Sequence, residues 1–244
     1  MVMRSGNPAL KNDEVFRREG SVNPKYAMTI DGTVNKTYFL LFITVLSALW
    51  SLGKPDLYMM LMIGGAIGGF ITAIITIFKK QWSGYTAPVY VVFEGLFLGA
   101  ISALVEQSYP GIVVQAVFLT FGTLFCLLMA YKSKLIKVTE NFKLGVVAAT
   151  GAIAVIYLLN FVMGFFGMTI PLIHESSLIG IGFSLFVVVI ASMNLVLDFD
   201  FIENGAKSGA PKYMEWYGAF GLMVTLIWLY LEILRLLAKL RSRR

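Results

Sequence analysis

Residues 178–201 read LIGIGFSLFVVVIASMNLVLDFDF, and the first charge in that run is Asp198. About 20 mostly apolar residues make one crossing of a ~30 Å hydrocarbon core at ~1.5 Å of rise per residue. No water is available at that depth to satisfy the backbone, so the run has to be helical; a barrel strand would alternate in polarity and be about half as long. Working outward, six further runs share this character, at 37–53, 57–78, 85–105, 111–131, 144–167 and 216–237. The fold class predicted is therefore an all-α integral membrane protein, a seven-transmembrane-helix bundle. Residues 1–36 read as a polar cytoplasmic N-terminal tail, 37–237 as the membrane domain and 238–244 as a short basic C-terminal tail.

The composition agrees. The chain is 58% apolar and 14% charged, whereas soluble domains carry about 25% charge. An aromatic share of 14% excludes an unfolded chain. A single cysteine, Cys126, inside a predicted span excludes a disulfide scaffold. The connections carry turn punctuation, at Gly53-Lys54-Pro55-Asp56, Ser108-Tyr109-Pro110-Gly111 and Gly205 to Pro211.

The net charge of +6 is a statement about topology, because the cations lie in connections and tails. Arg4, Lys11, Arg17, Arg18, Lys25, Lys36, Lys79, Lys80, Lys132, Lys134, Lys137, Lys143, Lys207 and Lys212 fall on one side, and only Lys54 among the connections falls on the other. The N-terminus is expected in the cytoplasm, and the expected location is a bacterial inner membrane. The residues Lys239, Arg241, Arg243 and Arg244 conflict with this, since an odd number of spans sends them to the far side.

Carboxylates in a bilayer interior cost about 2.5–3.5 kcal/mol each on insertion scales and need a reason. Glu94, Asp198, Asp200 and Glu232 are the candidates for a proton-sensing ion pathway. Two acids held together in a low dielectric share a proton or bind a cation. Asp198 and Asp200 point about 200° apart on a helix, so at most one faces fully inward and the other can mark the membrane edge. Glu232 stands three residues before Arg235, close enough for a local ion pair as well as for a functional role. Gly64, Gly65, Gly68 and Gly69, with Gly95 and Gly99, permit close helix approach, read as tight packing before a dimer interface.

Several chemistries are excluded. The one histidine, His174, falls in a connection, which leaves no intramembrane Ser–His pair or His-rich metal cluster. No Lys lies in the seventh span to hold retinal, and phosphate-binding glycine loops are missing. No enzyme and no resident cofactor are expected.

At Leu197-Asp198-Phe199-Asp200-Phe201-Ile202 and Leu229-Tyr230-Leu231-Glu232-Ile233-Leu234 the sequence resembles the transmembrane Bax inhibitor motif family, in its bacterial YccA-type branch. Glu94-Gly95-Leu96-Phe97-Leu98-Gly99, Tyr109-Pro110-Gly111, Ala210-Pro211-Lys212-Tyr213 and the opening Ser5-Gly6-Asn7-Pro8-Ala9-Leu10 extend the likeness along the chain. The resemblance implies a pH-sensitive calcium leak, with Asp198 and Glu232 as an acidic pair and Lys79 or Lys80 as a basic latch. It departs in having Glu on the last helix and Lys in place of Arg, which loses bidentate pairing. The two acids are also widely spaced, and they meet only if the last helix begins late. Calcium prefers six to eight oxygens, so two carboxylates would hold it transiently. A second reading is a membrane interaction protein that modulates a quality-control protease or another partner, with Met1 to Lys36 as the recognition element.

Overall fold

A computed structural model describes residues 26–167 and 177–243. Among the described residues, seven helices are long and apolar enough to cross a membrane. They are α1 (Ile30–Leu52), α2 (Tyr58–Phe78), α3 (Ser83–Ser108), α4 (Ile112–Lys132), α5 (Glu140–Gly164), α6 (Leu178–Lys207) and α7 (Met214–Ser242). Short 3-10 turns at Pro55–Leu57 and Lys80–Trp82 lead into α2 and α3. The protein is a multi-pass helical membrane protein. Large apolar side chains such as Phe42, Met60, Phe118 and Phe161 stay exposed on the outer faces of α1, α2, α4 and α5, where a bilayer supplies the apolar surroundings that water would not.

The largest differences from the hydropathy reading are extensions at the helix ends, although α5 stops at Gly164, short of the predicted 167. α1 begins at Ile30, seven residues before the predicted start, because Thr29 caps it by accepting a hydrogen bond from the Gly32 amide. Asp31, Asn35 and Lys36 lower the local hydropathy there, yet the turn is helical. α6 runs on to Lys207 and α7 to Ser242, past the predicted limits of 201 and 237.

Burial identifies α7 as the central helix. Seventeen of its 29 residues are buried, against three of 21 in α4 and three of 25 in α5. α1, α3, α4 and α6 surround it, α2 packs on α3, and α5 packs on α6. The main core joins Leu195 and Phe199 of α6, Tyr90 and Leu98 of α3, and Phe220, Met223 and Leu229 of α7.

The glycines work inside the bundle. A Cβ at Gly99 would overlap the Ala48 carbonyl of α1, and one at Gly69 would overlap the Glu94 side chain of α3. They set the spacing of α1, α2 and α3, as small residues do where helices must pack without a hydrophobic driving force.

Candidate functional site

The α6–α7 hairpin has a register that can be read at both ends. Near its turn, Ile202 lies against Gly218 and the Phe201 ring faces the Tyr217 ring. Far from the turn, the Lys239 ammonium donates to the Gly180 carbonyl at 2.9 Å and to Ser184 Oγ at 2.9 Å. Antiparallel pairing in this register puts Asp198 level with about residue 222, roughly ten residues or ~15 Å along the axis from Glu232. The acidic pair expected from Asp198 and Glu232 is therefore not brought together. α7 starts at Met214 and not late, which is the condition the pairing required.

Each acid instead has its own setting. Asp198 is fully buried on α6. Asp200, two residues on, turns toward α5 and places a carboxylate oxygen 3.0 Å from the Lys143 ammonium. Glu232 is buried and bound by Arg235 at 2.8 Å and by the Tyr157 hydroxyl at 3.0 Å. Arg235 also donates to the Tyr157 oxygen at 2.7 Å and lies over its ring. The local Glu232–Arg235 pair is present, extended by a phenol from another helix. Glu94 is half-buried in the middle of α3, over Gly69 of α2, and makes no hydrogen bond or ion pair with a described residue.

The latch candidates lie elsewhere. Lys79 is exposed at the end of α2, and the Lys80 ammonium sits 5.3 Å from the centre of the Tyr217 ring. Neither forms an ion pair with a described acid. By the hairpin register Tyr217 lies nearer the α6–α7 turn than Asp198 does, which holds Lys80 above that acid.

What the fold does assemble is a polar seam between α5, α6 and α7. Gly180, Ser184, Val187, Ala191, Asn194, Asp198, Phe201 and Gly205 form one buried stripe along α6 at three- and four-residue steps. On α5, Lys143, Thr150 and Tyr157 recur every seven residues with the buried Val146 and Ile153 between them. These three polar residues tie α5 to the bundle. Lys143 takes Asp200, Thr150 accepts from Asn194 Nδ2 at 2.7 Å, and Tyr157 takes Glu232. Lys239 continues the row on α7 beyond Arg235. Ionisable or hydrogen-bonding groups thus follow one another from the Lys143 end of the membrane to the Lys239 end.

Glu215, unmarked by the sequence reading, closes a second cluster. It is fully buried at the first turn of α7 and accepts from the Thr29 amide at 2.9 Å and the Thr29 hydroxyl at 2.8 Å. Lys212 pairs with it at 2.8 Å, and Lys36 pairs with its other oxygen. Lys36, read as part of the tail, belongs to α1 and also lies over the Trp216 ring. The available signal was the i, i+3 spacing of Lys212 and Glu215 at a helix start. On the same membrane face Glu203 accepts from Tyr131 of α4 and pairs with Lys207.

The basic end of the chain is anchored to the protein. Arg241 donates to the Pro110 carbonyl at 2.6 Å, and Lys239 and Arg235 are held as above. Two of the four cations that broke the charge asymmetry, Lys239 and Arg241, are thereby held by protein oxygens. Residues 1–25, most of the proposed recognition tail, and His174 lie outside the described residues.

A family model described as Bax inhibitor 1 like matches residues 7–242. No curated protein and no solved structure matches the chain.

Proposed function

The chain belongs to the Bax inhibitor 1 like family, and on that premise we propose that it is a passive, proton-regulated cation leak, with calcium as the ion carried and the α5–α6–α7 seam as the pathway. The observation that carries this reading is the run of carboxylates and hydrogen-bonding groups along one seam: Asp200 with Lys143, then Asp198, then Asn194 with Thr150, then Glu232 with Arg235 and Tyr157. Intramembrane ionisable groups facing a bundle interior mark ion and proton routes more often than structural sites.

α5 is the element that would move. It buries three residues and is tied by polar groups at 143, 150 and 157, so its docking depends on the charge of Asp200 and Glu232. Protonating either acid removes a charge-assisted bond, leaving Arg235 without its counter-charge in one case and Lys143 with only Glu140, 3.7 Å away, in the other. A divalent ion would compete with Lys143 and Arg235 for the same oxygens. It would be held weakly at each, as permeation demands. We place the protein in a bacterial inner membrane with the Lys132 to Lys137 face in the cytoplasm, from the cation asymmetry, and assign it no catalytic activity and no resident cofactor.

The test is calcium flux into liposomes at several pH values for the unaltered chain and for Asp198→Asn, Asp200→Asn and Glu232→Gln. The reading expects altered flux and a flattened pH profile in Asp200→Asn and Glu232→Gln. Flux and profile unchanged in all three would overturn it.

A further inference from the structure

α1 and α4 do not close on each other: a furrow runs between them, floored by α6 and α7 in its wider part and by α3 and α7 in its narrower part. Its wider part, at the Lys132 end, has a volume of about 680 Å³, and a narrower part of about 250 Å³ continues toward the other face, with Leu226 lining both. The larger part falls within the ~300–1,000 Å³ of ordinary ligand pockets. The floor is apolar, with Phe199, Ile202, Leu222 and Leu226 all buried beneath it.

The rim is charged, and only at one end. Lys132, Lys134 and Lys137 border the opening from the end of α4 and the turn that follows. The acids of that rim, Asp200 and Glu203, are engaged by Lys143 and by Tyr131 and Lys207. The exposed lysines thus give the mouth a positive balance, above a slot whose depth is hydrocarbon-like. We propose that this furrow binds one anionic glycerophospholipid, its phosphodiester at Lys132, Lys134 and Lys137 and an acyl chain along α7 past Leu226.

Charge complementarity chooses this occupant over a partner's transmembrane helix, which would need an apolar rim where the three lysines stand, and over a zwitterionic lipid, which would gain little from them. A row of solvated lysines at a membrane edge is the bland alternative. It predicts no selectivity among headgroups beyond general surface attraction, and no dependence on the shape of the furrow.

Native mass spectrometry of the full chain in detergent separates the cases. Phosphatidylglycerol and phosphatidylcholine with identical acyl chains are compared, with inorganic phosphate as a third arm. One phosphatidylglycerol per chain is expected, retained at least ~10-fold better than phosphatidylcholine, since several juxtamembrane cations act together. Two variants read the two halves of the site. Lys132→Gln with Lys134→Gln and Lys137→Gln abolishes the headgroup preference, and Leu226→Trp fills the slot and lowers retention of both lipids with the lysines intact. Equal retention of both lipids, binding of inorganic phosphate at the level of phosphatidylglycerol, a lipid-free dimer, or unchanged binding in both variants overturns the proposal. Leak activity does not enter the measurement, so the site stands or falls separately from the ion pathway.

Discussion

Tyr157 of α5 holds its hydroxyl 3.0 Å from each carboxylate oxygen of Glu232 on α7. Its oxygen in turn receives a bond from Arg235, so acid, cation and phenol form one closed set. Such a set is expensive to break one member at a time. Removing one partner leaves the other charge buried, whereas removing both removes the cost as well.

Arg235→Gln is accordingly expected to destabilise the protein by about 2–4 kcal/mol, and Arg235→Gln with Glu232→Gln by much less. Thermal or denaturant unfolding in the same detergent measures the difference. A double variant as unstable as the single one would show that the two charges are not energetically linked.

Breaking the Lys143–Asp200 tie should loosen α5 before the rest of the bundle. For Lys143→Gln, hydrogen exchange is expected to rise along residues 140–164 and to stay near its original level in α7, because local stability follows buried contact. Uniform acceleration across all helices would contradict the weak attachment of α5.

The pH response follows from the sign of the linkage. Glu215 is ionised and bound by two lysines and the Thr29 donors, so its stabilisation is present while the carboxylate is charged and is lost as acid protonates it. Glu215→Gln is expected to cost about 2–3 kcal/mol at neutral pH and to shrink the acid-induced loss of stability. Unfolding midpoints from pH 7 downward test it, and parallel curves for the two proteins would remove Glu215 from the account.

Gly99→Leu should separate α1 from α3. The side chain would meet the Ala48 carbonyl and Ser51, and overpacking costs about 1–3 kcal/mol where the backbone can shift and more where it cannot. Gly64→Leu, whose Cβ meets nothing within 4 Å, should leave stability within about 0.5 kcal/mol. Equal effects at the two positions would argue against the α1–α3 contact.

The seven spans were legible because each is longer and more apolar than any soluble helix needs to be. The Glu232–Arg235 pair was legible too, since i, i+3 neighbours meet on any helix. The seam was not. Lys143 reads as one more connection lysine until α5 is seen to begin at Glu140, and Tyr157 and Thr150 are inconspicuous within an apolar run. Their partners come from helices 44 to 78 residues away, a distance no local pattern spans. Glu215 and Lys36 stand 179 residues apart. Glu215 drew no reading and Lys36 was read as part of the tail, yet the two form an ion pair. The Asp198–Glu232 pairing failed on register, which an inventory of acids does not contain.

α7 is the most enclosed helix, and it follows the other six described spans in the chain. Until it inserts, the faces of α1, α3, α4 and α6 that will enclose it have no companion, although α1, α2 and α3 already pack closely on one another. Closure of the bundle around its centre is thus a late step, which a stop codon anywhere before residue 214 would forestall.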